Sequence, residues 1–169
     1  MLCKDMVIIV TRFVGAVLIF TACTSMGISA SAMYKRRAAQ LEAFVLLITH
    51  IGAQIDGFLL PLDRIYANFK NRTLEGCGFL DALQKNGGVA ALSECRRRMN
   101  LGDDEIGELE KFFVGLGRHA ADEEARHCAY FEKRIGELAA SARGQLAQKT
   151  RLCRAFGMLV GVMLAVVLL

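Results

Sequence analysis

Residues 13–34 contain no charged side chain in 22 positions, and residues 155–169 contain none in 15, so both ends of the chain are apolar. A helix needs about 20 apolar residues to cross the hydrocarbon core of a bilayer, which the first stretch supplies. The second is short for a span. It crosses only if Arg151 and Arg154 snorkel towards the headgroups and the bilayer thins locally, and a re-entrant tail is the alternative. Sixteen of the 17 acidic residues and 19 of the 21 basic residues lie within 33–154, which makes the middle a water-soluble segment of net charge +3. This partition reconciles a mean hydropathy of +0.35 with a charged fraction of 22%.

Cations gather where the middle meets each apolar end, at Lys35, Arg36 and Arg37 and again at Lys149, Arg151 and Arg154. Positive charge is retained on the cytoplasmic side, so these six residues predict a cytoplasmic middle with both termini across the membrane. A cleaved signal peptide competes for the N-terminus, with Ala30-Ser31-Ala32 as its cleavage site, and Phe20-Thr21-Ala22-Cys23 loosely resembles a lipoprotein acylation site. Three cations just beyond the cut would oppose translocation, which favours a retained anchor. The expected organisation is a non-cytoplasmic tail over 1–12, a transmembrane helix over 13–34, a cytoplasmic helical bundle over 35–154 and a C-terminal transmembrane segment over 155–169. Within the spans, Cys23, Gly27 and Ser31, and likewise Gly157 and Gly161, place small residues four apart. Such spacing lets membrane helices approach closely, and leaves homo-oligomerisation open.

The middle reads as helix throughout. Leu41, Phe44, Ile48, Ile51 and Ile55 recur in steps of three and four, the stripe of an amphipathic helix. Pro61, the one proline, stands where a new helix can start, with Leu62, Ile65, Tyr66 and Phe69 as its apolar face and a break at Gly76 and Gly78. Shorter helices follow over 79–85, closed by Asn86-Gly87-Gly88, and over 89–99, closed by Asn100 and Gly102. Asp103 and Asp104 are expected to cap a helix carrying Ile106, Leu109, Phe113 and Leu116, ended by Gly115 or Gly117. Asp122 is expected to cap a very long helix with Cys128, Phe131, Ile135, Leu138 and Ala142 on one stripe, and nothing stops it before the C-terminus. No alternation of period two competes. The expected fold is therefore all-α, an antiparallel bundle of about six helices between the N-terminal transmembrane helix and the C-terminal apolar membrane segment.

Chemistry is sparse by comparison. Glu124-Ala125-Arg126-His127 has the E-x-x-H spacing of di-iron bundles, but such a centre needs a second copy and further carboxylates. His119, Glu123 and His127 share one helix face, in a stretch rich in charge that reads as solvated. Gly115-Leu116-Gly117-Arg118 lacks the spacing and the Lys-Ser/Thr of a phosphate loop. His50 lies among apolar residues and reads as packed. The six cysteines form no C-x-x-C pair, and Cys77, Cys95 and Cys128 of the middle read as small buried hydrophobes. Arg96, Arg97 and Arg98 are the densest basic cluster away from the junctions. They complement a helix C-terminus, and alternatively form a docking patch for an acidic partner or lipid headgroups. No aromatic platform accompanies them, so nucleic-acid binding is not expected. No catalytic, cofactor or metal residue is assigned.

The order of motifs adds a family. An N-terminal span leads to Tyr34-Lys35-Arg36-Arg37 and Gln40-Leu41, then Leu60-Pro61-Leu62, Gly87-Gly88 and Phe112-Phe113-Val114-Gly115-Leu116-Gly117. Ala147-Gln148-Lys149-Thr150-Arg151-Leu152 and Gly157-Met158-Leu159-Val160-Gly161 complete the series. This resembles the stage III sporulation protein AB family of endospore-forming bacteria, from about Thr11 to Leu169. The stretch from Arg118 to Glu124 departs from the pattern, as does the absence of a proline at the first junction. The resemblance implies a non-enzymatic platform subunit in the mother-cell membrane surrounding the forespore, part of a secretion-like channel. Its bundle would be similar to the cytoplasmic F-type domain of type II secretion. The partners it implies are the cytosolic ATPase, protein AA, and the other subunits of the same operon. The competing class is a membrane-anchored enzyme or metal-binding bundle using His119, Glu123, Glu124 and His127.

Overall fold

The computed structural model describes residues 32–55, 61–118 and 120–168, with positions 15, 21, 25 and 29 singly; side chains are described up to 145, except at 121, and at 155, 159 and 163. Every regular element among them is helical. The first is α1 (Ala32–Ile55). It is followed by α2 (Leu62–Asn68), α3 (Arg72–Gly76), α4 (Phe79–Asn86), α5 (Gly88–Cys95), a 3-10 turn (Arg96–Arg98), α6 (Asp103–Gly115) and α7 (Ala121–Leu168). The chain divides into two compact units, Arg36–Arg143 and a second made of Met1–Lys35 with Gly144–Leu169. The expected span over 13–34 lies almost wholly outside the described residues.

The Arg36–Arg143 unit is the all-α bundle that periodicity predicts. Leu41, Phe44, Ile48 and Ile51 of α1 have no exposed surface at all, so the stripe of threes and fours is the stripe that faces the core. On α7, Cys128, Phe131 and Ile135 are buried and Leu138 and Ala142 pack against them. Three contacts show how the two helices run. Glu42 pairs with Arg143 at 2.9 Å, the Thr49 hydroxyl meets Glu132 at 3.0 Å, and a Cβ placed on Gly52 would lie 3.1 Å from the Cβ of Cys128. As the α1 number rises the α7 number falls in step, which is an antiparallel pair. Aromatic rings then tie four helices together. Phe44 of α1 meets Phe79 of α4 edge-on at 4.9 Å, Phe79 reaches Phe113 of α6 at 6.0 Å, and Phe112 reaches Phe131 of α7 at 5.7 Å.

By length and composition alone α1 would pass for a membrane span, but half of its most apolar window is buried inside the protein. The apolar residues of its buried stripe are matched to the helices around it.

Several boundaries differ from expectation. The helix begun at Pro61 does not reach Gly76: it ends at Asn68, and the Asn71 carboxamide oxygen caps α3 by accepting from the Thr73 and Leu74 N–H groups at 2.9 and 3.4 Å. A side chain able to satisfy the first N–H groups of a new helix makes the break cheap. At α6 the cap is Gly102, not Asp103 or Asp104, and the Gly102 N–H donates to the Glu105 carboxylate at 2.7 Å. Asp103 and Asp104 occupy the first turn, where the helix dipole favours them. Likewise α7 opens on the Ala120 carbonyl, which accepts from Glu123 and Glu124 N–H, and Asp122 lies in its first turn rather than at the cap.

Candidate functional site

Arg96–Arg98 owes its exposure to the residues on either side. Cys95 and Met99 are buried, and the Met99 N–H donates to the Cys95 carbonyl at 3.1 Å. With both ends of the turn pinned in the core, the three residues between are carried outward. Just beyond, the Asn100 N–H donates at 2.8 Å to the side-chain oxygen of Gln40, itself buried in α1, which fastens the loop to the first helix. Arg96 pairs with Asp103 at 2.7 Å, but the Asp103 side chain is 88% exposed, so water competes for both groups. Arg97 and Arg98 make no ion pair among the described residues. The Arg98 Nη1 lies 3.1 Å from where a Cβ on Gly78 would stand, beside the start of α4, so Arg96 and Arg98 leave the turn in different directions. The dipole of α5 is complemented as well, since the turn follows its C-terminus directly.

The cations expected at the junctions separate by environment. Lys35 and Arg36 are exposed. Arg37 instead turns into the bundle, where its Nε donates to both Glu105 oxygens at 3.0 and 3.1 Å and its Nη2 to one of them at 2.8 Å. Glu105 is 3% exposed. The pair joins the start of α1 to the start of α6, a role that no local signal in the sequence indicated. Lys149, Arg151 and Arg154 lie in the helical backbone of α7, and their side chains are outside the described residues.

The residues weighed for metal or acid-base chemistry have other surroundings. Glu124 is buried and accepts the Gly117 N–H at 2.8 Å, holding the α6–α7 connection. The His127 ring stacks on Phe112 at 5.5 Å with an interplanar angle of 13°, and lies 4.9 Å from Phe131. Glu123 is exposed, and His119 lies outside the described residues. Among the described residues no group of three His, Cys, Asp or Glu stands ready for a metal ion. Burial, with Glu124 and Glu132 nearby, pushes the Cys128 thiol up to about 11, which suits packing and opposes thiolate chemistry. Cys77, Cys95 and Cys128 are all free and buried, as read from the sequence.

The family model for stage III sporulation protein AB matches residues 12–169, nearly the whole chain. The chain belongs to that family. No curated protein and no solved structure matches it.

In this member of the stage III sporulation protein AB family, three of the motifs that carried the resemblance, at Gln40-Leu41, Gly87-Gly88 and Phe112 to Gly117, serve packing. Gln40 holds the loop after the arginine turn, and Leu41 is fully buried. Gly87 adopts a φ of 79°, and a Cβ on Gly88 would overlap the Phe113 ring. In the Phe112-to-Gly117 run, both phenylalanines join the aromatic chain, and a Cβ on Gly115 would overlap the His127 imidazole. Larger side chains at Gly88 and Gly115 would drive α5 from α6, and α6 from α7.

Proposed function

We propose that the chain is a non-enzymatic platform subunit of a sporulation secretion-like channel between mother cell and forespore. Its bundle lies on the cytoplasmic side of the mother-cell membrane around the forespore, and couples a cytosolic ATPase of the same operon to the membrane complex. Membership of the stage III sporulation protein AB family is the observation that carries this reading. The bundle supports it further, since its buried polar and titratable groups serve packing and helix ends, while its exposed arginine turn suits protein contact. Membrane attachment draws support from the apolar terminal stretches and from Leu159 and Met163 of α7, whose side chains are 66% and 73% exposed. Large apolar groups in that state are a liability in water and ordinary in lipid.

Co-purification from sporulating cells tests the proposal. The full-length chain should bring the ATPase and channel subunits with it. Charge reversal at Arg96, Arg97 and Arg98 should lower recovery of the partner at least tenfold while membrane insertion is unchanged. Recovery of the wild-type chain without either class of subunit would overturn the reading.

A further inference from the structure

The connection from the arginine turn to α6 is fastened to a helix 60 positions earlier in the chain. Other connections close on their own neighbours: the Gly87 N–H returns to the Leu83 carbonyl at 3.1 Å, the Gly78 N–H to the Glu75 carbonyl at 2.9 Å, and the Gly117 N–H goes to Glu124 of the helix that follows. Between Met99 and Asp103 the bonds cross to α1. The Asn100 N–H donates to Gln40 Oε1 at 2.8 Å, and the Gly102 N–H donates at 2.7 Å to the Glu105 carboxylate that Arg37 grips from α1. The Arg37 guanidinium also lies against Gly102 itself, 3.8 Å from where a Cβ would stand. Arg37 and Gln40 are three residues apart, so they share one face of α1 and are separated by about 4.5 Å along its axis.

Two attachments constrain more than one. A loop held by a single hydrogen bond pivots about it, whereas two separated points fix its direction as well as its position. Gln40 is 5% exposed, so a core position of α1 is given to an amide whose oxygen serves the Asn100 N–H. Buried polar groups are kept where their hydrogen bonds are made, and losing the partner is costly. The Arg96–Asp103 pair spans the same connection but is exposed on both sides, so it contributes little to holding it. The turn thus has one end in the core at Cys95 and leads, through buried Met99, straight into the strap on α1.

We propose that Gln40 and Arg37 are positioning residues for the arginine turn, which they set against α1 through the strap 99–102, so that a rotation or axial shift of α1 carries Arg96, Arg97 and Arg98 with it. The proposal deepens the platform reading and rests on it for the partner that the turn meets. It gives the coupling a physical route, because α1 begins within the apolar stretch 13–34 and its clasped face reaches the turn directly. Small sliding movements of packed helices are a common means of conformational change. Since the arginines leave the turn in different directions, α1 sets the backbone that carries them rather than any one side chain.

Hydrogen–deuterium exchange of the full-length chain in mild detergent, read by mass spectrometry, tests the clasp. Gln40→Met keeps the bulk of the side chain and removes the acceptor. Exchange over 96–102 is expected to rise at least tenfold while peptides from α4 and α7 stay within twofold of wild type. Thr49→Val removes a contact between α1 and α7 instead, and should leave 96–102 unchanged. In sporulating cells the Gln40→Met chain should recover the ATPase at least tenfold less than wild type, although all three arginines remain. Unchanged exchange over 96–102, a rise spread evenly over the bundle, or a loosened turn with full ATPase recovery would each overturn the proposal; in the last case the platform reading stands. If the wild-type chain brings neither ATPase nor channel subunits, the platform reading falls, and exchange over 96–102 alone decides whether Gln40 holds the turn.

Discussion

Arg37 and Glu105 form an unequal pair, since the Glu105 side chain is 3% exposed and that of Arg37 is 37% exposed. Removing the arginine strands a buried carboxylate with the Gly102 N–H as its remaining donor. Removing the carboxylate's charge leaves a guanidinium that water can reach. Arg37→Met is therefore expected to destabilise the bundle by about 3 kcal/mol, towards the lower end for a broken buried pair. Glu105→Gln should cost about 1 kcal/mol, near the net value of a hydrogen bond. Denaturant unfolding of the full-length variants in mild detergent measures both, and equal losses would contradict the asymmetry. Reading Arg37 as a junction cation was reasonable from its neighbours Lys35 and Arg36. Its partner lies 68 positions away, beyond any local pattern.

Helix α1 shows why composition alone misjudges an element. Ala32–Ile55 is long and apolar enough for a membrane, yet adjacent leucines live in different environments: Leu46 is 56% exposed and Leu47 fully buried. A lipid-embedded helix would treat the two more evenly. Leu47→Ala should destabilise the bundle by about 2–4 kcal/mol, the usual result of emptying a packed leucine site. Leu46→Ala should stay within about 0.5 kcal/mol. The same denaturant titration decides, and comparable losses would argue against α1 as a core helix. The stripe of α1 and that of α7 were both legible because burial on one side imposes a period of 3.6 on the sequence itself. The break between α2 and α3 was not, because Asn71 ends one helix and caps the next within an apparently continuous apolar pattern.

At the scale of the whole bundle, pH dependence follows from what is buried. Burial raises the Cys128 thiol from its ordinary 9.0 to about 11, and burial, with Asp63 next in effect, raises the Tyr66 phenol to about 12. Both folded-state values lie above the unfolded ones, so the folded state holds these protons more tightly. The stabilisation is complete below about pH 9 and is lost as pH rises towards 11 and 12. For Cys128 the loss amounts to roughly 2 kcal/mol. Melting temperatures recorded from pH 8 to 11 should fall, and Cys128→Ala should flatten the first part of that fall despite a lower starting value. An unaltered slope would remove Cys128 from the account. On the acid side the sign is opposite. The Lys111 ammonium bonded to Glu108 at 2.9 Å holds that carboxyl below its usual range, so its stabilisation is present above pH 4.5 and fades as pH falls through the lowered value.

Local physics accounts for what the sequence alone determines. An uncharged run must avoid water, a one-sided stripe must face something apolar, and Gly87 or Gly117 after a stripe marks an end, so the all-helical middle and the exposure of Arg96, Arg97 and Arg98 were open to inspection. The pairing of elements was not, because it depends on groups that become neighbours only when the chain closes on itself. Gly88 has no side chain because Phe113 lies over it, Gln40 is buried with the loop at Asn100 as its hydrogen-bond partner, and Glu124 closes the turn at Gly117. Nothing within a few residues of these positions specifies those contacts. They are consequences of packing.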